Sequence, residues 1–224
     1  MANMEKQILT TFQKQILDSI DKNKYIVDNF FFTGGTALSS CYFQHRFSED
    51  LDFFAEEEFD QLRILAWIKS ASPLLKIKEI EQQVLNGQLT LFLHQLGSQQ
   101  SLKLDFAYFP FSHLGKFNFM NNLRVSSLED IAVNKVQAVT TRSRSRDYLD
   151  LMLCLKKLKW SNEEIGRKYR SKFEIKLPPE SLATAYTNVQ GATDLPIFLG
   201  ETNWSEVEEY FLSKASELKD QIVK

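Results

Sequence analysis

At 224 residues, 43% hydrophobic and with a net charge of −2, the chain can bury one large domain or two small intimate ones, and 18 phenylalanines predict a Phe-rich core. No apolar run approaches the roughly 20 residues of a membrane helix, and the opening MANMEKQILTTFQKQ has no basic region leading into an apolar block, so neither a membrane span nor a secretory signal is expected and a reducing cytoplasm is the expected location. Two distant cysteines, Cys41 and Cys154, exclude a disulfide framework and read as ordinary buried thiols, while His45, His94 and His113 lack the spacing of a zinc site.

In chain order, Lys6 to Ile20 carries apolar residues at helical spacing, and the aromatic run Tyr25 to Phe32 reads as a strand ending near Thr33. Gly34-Gly35 breaks it. Thr36 to His45 has the length of a helix, Leu51 to Phe54 reads as a strand, and Phe59 to Ser70 as a helix stopped by Ser72-Pro73. Leu75 to Leu85 and Gln88 to Leu96 flank Asn86-Gly87, a strong hairpin signature. Leu102, Leu104 and Phe106 alternate with Lys103, Asp105 and Ala107 in a further half-buried strand. Pro110 to Asn122 is an irregular, aromatic-rich connector. Helices follow: Leu128 to Thr140 behind a capping box at Ser126-x-x-Glu129, Asp147 to Leu158, one opened by Ser161-x-x-Glu164, one after Pro178-Pro179, and Trp204 to Ile222. The reading is an α+β chain, with a mixed sheet and its helices over 1–122 and a helical region over 123–224.

Charge is segregated along this order. Glu49 to Asp60 holds seven acidic residues and no basic one, Lys135 to Lys176 holds 12 basic against five acidic, and Leu177 to Lys224 holds three against eight. The basic middle is either a solvated face or a surface that attracts polyphosphate or nucleic acid.

The candidate chemistry lies in Gly34 to Asp52. Asp50 and Asp52, two apart in a strand, project from one face and can bind divalent metal ions against a phosphate; an isolated D-x-D is ordinarily a solvent-facing edge, and the glycine turn a helix length upstream is what favours a site. Asp105 is the natural third carboxylate, as metal ligand and as help in deprotonating an attacking hydroxyl. Lys103 shares its face, and either touches phosphate or lies in solvent. Gly34, Gly35 and Thr36 can present backbone amides to an anion, with Thr36 as helix cap, phosphate contact or both. Ser48 can orient Asp50 or a phosphate oxygen, and Arg46 can pair with either or serve a structural ion pair. Lys135, inside a mostly apolar helix, is a polyphosphate ligand or a snorkelling surface lysine. Asp147 and Asp150 share a helix face and position Lys135 or a ribose, or brace the helix pair.

These blocks together resemble the AbiEii/AbiGii-type nucleotidyltransferase toxins, within the DNA polymerase beta superfamily of nucleotidyltransferases. The likeness rests on GGTAL at 34–38, RFSEDLDF at 46–53, LDF at 104–106, NKVQA at 134–138 and RDYLDL at 146–151, in the family's order over residues 30–155. It implies a nucleotidyltransferase-type mixed sheet with flanking helices, followed by a C-terminal helical region. It implies transfer of an NMP from an NTP to an acceptor hydroxyl with Mg2+ or Mn2+ and loss of pyrophosphate. The acceptor implied is RNA, in relatives the 3′ end of tRNA, and the protein is the toxin of a pair with an antitoxin partner. On this reading Asp50, Asp52 and Asp105 hold metal and are catalytic, while Gly34, Gly35, Thr36, Arg46, Ser48, Lys135 and Asp147 bind the nucleotide. The alternatives are a catalytically inactive nucleotide-binding module acting through a protein partner, and an NMP transferase that modifies protein.

Overall fold

The computed structural model describes residues 8–199 and 202–219. The predicted helix ends at Lys6 and at Ile222 therefore lie outside the described residues. Helix α1 (Thr11–Asp21) opens on Thr10, whose hydroxyl accepts from Gln13 N at 3.1 Å while Gln13 Oε1 accepts from Thr10 N at 2.9 Å, a reciprocal capping box. The predicted strand over 25–32 is mostly a helix, α2 (Lys24–Asn29), because Asn23 accepts from Ile26 N and starts a helical turn; only β1 (Phe31–Thr33) is extended. The predicted single helix over 36–45 is α3 (Gly34–Leu38) followed by a π-helical turn at Ser39–Phe43, which Gln44 closes in the left-handed region at φ 52°.

After β2 (Leu51–Ala55), helix α4 (Gln61–Leu75) runs past Pro73 and ends at Lys76, also left-handed. Proline removes one backbone bond from the final turn, and burial of Leu75 offsets that loss. Strands β3 (Ile77–Leu85) and β4 (Gln88–Gln95) form the expected hairpin, with Asn86 at φ 47° and Gly87 at φ 78° supplying the two positive angles its tight turn requires. Strand β5 (Ser101–Tyr108) follows. The expected connector contains a hairpin, β6 (Asn118–Met120) and β7 (Leu123–Val125), turned at Asn121 with φ 54°. Three-residue strands are too short for alternation to reveal them.

The seven strands form one mixed sheet in the order β3-β4-β5-β2-β1-β7-β6. Strand β2 lies antiparallel to β1 and parallel to β5, and β1 is parallel to β7. One face carries Leu51, Phe53, Leu104, Phe106, Leu89 and Leu91, all buried. Phe32, Phe53 and Phe106 stack in series across three strands, at 5.3 and 5.4 Å between ring centroids, and Phe30 meets Phe106 edge-on at 5.1 Å. The Phe-rich core predicted from composition is this array.

The chain divides into two compact units: one runs to Pro110 and regains Phe117–Ser126, while the other takes Phe111–Lys116 and what is described from Ser127 onward. Strand β7 thus belongs with the sheet, beyond the predicted division at 122. The second unit is helical: α5 (Leu128–Thr141), α6 (Ser145–Leu158), α7 (Asn162–Phe173), α8 (Pro179–Thr187) and α9 (Trp204–Ser216). Helix α5 is capped by Ser127, not Ser126: Ser127 Oγ accepts from Asp130 N at 3.0 Å, whereas Ser126 N is bonded to Phe32 O and prolongs the strand. The Ser161 capping box is present as predicted. Tyr148, Tyr186 and Phe211 form the aromatic centre of this unit. The Phe111–Lys116 segment is pinned to α5 and α7: Asp130 accepts from Leu114 N and Gly115 N, and the buried Lys172 ammonium donates to Asp130 at 2.6 Å and to Ser112 O at 3.2 Å. Cys154 is buried as expected; Cys41 is at the surface, carried outward by the π-helical turn.

Candidate active site

The Gly34 backbone lies at φ +75°, a conformation that costs an L-residue about 1–2 kcal/mol. A Cβ there would collide with Asp52 Oδ2 and sit 2.8 Å from its Cγ. Glycine is therefore required twice, for the bend and for the closeness of the Asp52 carboxylate. A Cβ on Gly35 would collide with the Arg46 guanidinium and come within 3.3 Å of Ser48 Oγ. The glycine pair, Arg46, Ser48 and Asp52 are thus packed together.

The stretch from Arg46 to Asp50 is tied down by side chains from two helices. Thr36 Oγ1 donates to Asp50 O and Ser39 Oγ donates to Arg46 O. Gln13 Nε2 of α1 donates to Ser48 O at 2.8 Å and to Glu49 O at 3.2 Å. This corrects the reading of Thr36: it is buried within α3, its hydrogen is spent on the Asp50 backbone, and it positions the acidic strand rather than capping a helix. Arg46 is buried too, and donates to Phe47 O at 2.9 Å.

Register then gathers the acids. Thr33 is paired with Asp52, Asp52 with Asp105, and Asp105 with Thr90, so four side chains from four strands form one transverse row on the sheet face opposite the phenylalanine stack. Asp50 immediately precedes β2 and carries the same parity as Asp52. The Asp105 carboxylate is 5% exposed and well supplied with donors: Thr90 Oγ1 at 2.6 Å and Gln88 Nε2 at 3.0 Å to Oδ1, and the Lys103 ammonium to Oδ2. Burial alone would lower the Lys103 pKa, but the bond to Asp105 and the charges of Asp105, Asp50 and Asp52 outweigh it and hold the ammonium above the usual lysine value. Lys103 is therefore neither a bare solvent-facing residue nor a free phosphate ligand; it neutralises the acidic row. The sequence gives Thr90, Gln88, Gln13 and Thr33 no visible part in the site.

Among the described residues no three acidic, His or Cys side chains close on one point as a ready metal cage. The expectation of three carboxylates already meeting at a common point is corrected to that extent: Asp105 is drawn instead to Lys103, Thr90 and Gln88, because adjacent anions require a cation or donors. The donor set nonetheless suits a hard divalent ion, since Asp50 and Asp52 offer carboxylate oxygens beside a glycine bend. Thr33 Oγ1, in the same row, is buried and without a hydrogen-bond partner among the described residues, as at a site whose remaining component is not part of the chain.

In the second unit, Lys135 Nζ lies 2.7 Å from both Asp147 Oδ1 and Asp150 Oδ2, and Arg142 Nε lies 2.8 Å from Asp147 Oδ2. Lys135 is 8% exposed, so it is no snorkelling surface lysine, and Asp147 orients it. Burial would raise the Asp147 pKa; Lys135 and Arg142 outweigh it and hold that carboxyl below the usual range.

The sequence matches, over residues 16–192, the family described as nucleotidyl transferase AbiEii toxin, type IV TA system. The chain belongs to the AbiEii nucleotidyltransferase family. This AbiEii chain is 26% identical over 196 residues to the uncharacterized protein aq_aa25 of Aquifex aeolicus, spanning 86% of the present chain and 89% of that protein. Its fold is similar to the crystal structure of JHP933 from Helicobacter pylori, at a TM-score of 0.62, 20% identity and coverage of 94% and 91% of the two chains. A structure described as a putative nucleotidyltransferase from H. pylori is similar at a TM-score of 0.61 and 20% identity, covering 95% and 97%. Among the described residues, no helix of the AbiEii chain is long and apolar enough to cross a membrane.

Proposed function

We propose that the chain transfers an NMP from an NTP to a hydroxyl of RNA, the tRNA 3′ end being the first acceptor to test, as the cytoplasmic toxin of a pair with an antitoxin. The observation that carries this reading is the pairing of Asp52 with Asp105 beside Gly34, whose missing Cβ leaves room for the Asp52 carboxylate. The family description, with its nucleotidyl transfer and its type IV toxin system, supports the reaction class and the antitoxin.

Asp50 and Asp52 are the residues that would hold Mg2+ or Mn2+, with Asp105 completing the set. When bound, the ion supplies charge neutralisation and Lewis acidity for phosphoryl transfer. The Gly34 and Gly35 backbone and Ser48 hold the triphosphate, with Arg46 fixed beside them. Thr36 and Gln13 keep the strand entry rigid, which confines the carboxylates to one geometry. The acceptor oxygen forms its bond to the α-phosphorus as the bond to the β-phosphate oxygen breaks, and pyrophosphate leaves with that electron pair. Asp105 receives the hydroxyl proton. A carboxylate offers about four lone-pair sites, and Thr90, Gln88 and Lys103 occupy three of them, so Lys103 must give up its site on Oδ2 for Asp105 both to meet the ion and to take the proton. Lys135, clasped by Asp147 and Asp150, is a candidate ligand for nucleotide phosphate.

The test is label transfer from each α-labelled NTP to bulk RNA. Asp50→Asn combined with Asp52→Asn should lower the rate by about three decades or more, about 4 kcal/mol of barrier, with circular dichroism unchanged. Transfer that survives the double change ends the carboxylate mechanism. Label in protein identifies a protein-modifying enzyme, and saturable NTP binding without transfer identifies a binding module.

A further inference from the structure

The last two turns of α7 and the chain just beyond it are rich in cations that divide into two sets. From Gly166 to Leu177 there are five basic residues and one acidic. Lys168 pairs with Glu129 at 2.8 Å and Lys172 with Asp130 at 2.6 Å, so these two serve the interior of the helical unit. Arg167, Arg170 and Lys176 line an open cleft of about 490 Å³ with Gly166, Ser171 and Leu177. No carboxylate lines it. Arg167 reaches only Glu164, at 3.8 Å, and among the described residues neither Arg170 nor Lys176 has an ion-pair partner.

The floor of the cleft carries the second observation. Gly166 lies inside α7, where glycine is among the weakest helix formers. A Cβ there would meet nothing within 4 Å, so packing does not require a glycine. An unneeded side-chain vacancy under two arginines and a lysine suits the close approach of a ligand backbone. The pull of the helix C-terminus on cations accounts for Arg170 in the last turn, but not for Arg167 or for Lys176 beyond the helix.

We infer that this cleft binds the phosphodiester backbone of the RNA acceptor, with Arg167, Arg170 and Lys176 on neighbouring phosphates and Gly166 letting the strand settle against the helix. The inference rests on the RNA-directed reading above and locates its acceptor surface. Two neighbouring guanidinium groups, one of them held only by the long contact to Glu164, suit phosphate oxygens, and a lining without carboxylates suits a polyanion.

The experiment measures binding of fluorescein-labelled unfractionated tRNA by anisotropy across a salt series, using the full chain with Asp50→Asn and Asp52→Asn so that turnover does not intervene. Arg167→Glu with Arg170→Glu should weaken binding at least tenfold and flatten the slope of log affinity against log salt by about 1.5. Gly166→Gln should raise the melting temperature by about 2–4 °C and still weaken RNA binding severalfold, a combination that a purely structural glycine would not give. Unchanged affinity and slope in both variants overturn the inference. The transferase reading is judged separately, by loss of label transfer in the Asp50 and Asp52 variant.

Discussion

At the scale of single residues, Gly34 is where conformation and chemistry meet. Gly34→Ala would force a left-handed alanine and drive its methyl into the Asp52 carboxylate. The backbone alone should cost about 1–2 kcal/mol, and displacement of Asp52 should remove transfer more completely than that loss of stability accounts for. Thermal melts beside label-transfer rates check this; an alanine variant with wild-type rates would mean that Asp52 need not touch the bend. The Gly34-Gly35 break and the Asp50–Asp52 alternation could be read from sequence because each is complete within two or three adjacent positions, whereas the contact of Gly34 with Asp52 could not. Thr33, Gln88, Thr90 and Gln13 could not. Their part arises from register between strands remote in sequence, such as Asp105 with Thr90, or from a helix reaching 35 residues ahead, as Gln13 does to Ser48.

At the scale of elements, α5 and α6 are joined by charge. Asp147 is fully buried against Lys135 and Arg142, its folded pKa is depressed, and the link it forms is at full strength above the unfolded carboxyl value of about 3.9. That contribution is lost as pH falls from there through the folded pKa. Chemical denaturation between pH 5 and about pH 2 should show this acid-side loss, with a shallower slope in Asp147→Asn; equal slopes would remove Asp147 from the account. Local signals predicted some elements well and others badly for the same reason. Asn86-Gly87 and the Ser161–Glu164 box are complete within four residues, and both are present. The aromatic run at 25–32 looked extended, yet Asn23 caps a helix through its first half. Ser126 and Ser127 are adjacent hydroxyls, and only the bond from Ser126 N to Phe32 O assigns the first to the sheet and leaves the second as the cap.

At the scale of the whole molecule, the two units exchange chain twice around Phe111–Lys116, so no single cut at the end of β5 yields an intact sheet. A fragment ending at Pro110 would lack β6 and β7 and would bare the edge of β1. It should self-associate more strongly than the full chain, as light scattering at matched concentration would register; a fragment no more associated than the full chain would mean that β1 tolerates its open side. The same order of strands has a consequence for synthesis. Strand β1 waits about 90 residues for its parallel neighbour, with Phe31 opposite Arg124. In a nascent chain the strands that pair Asp52 with Asp105 are therefore synthesised before the strand that covers the far side of β1.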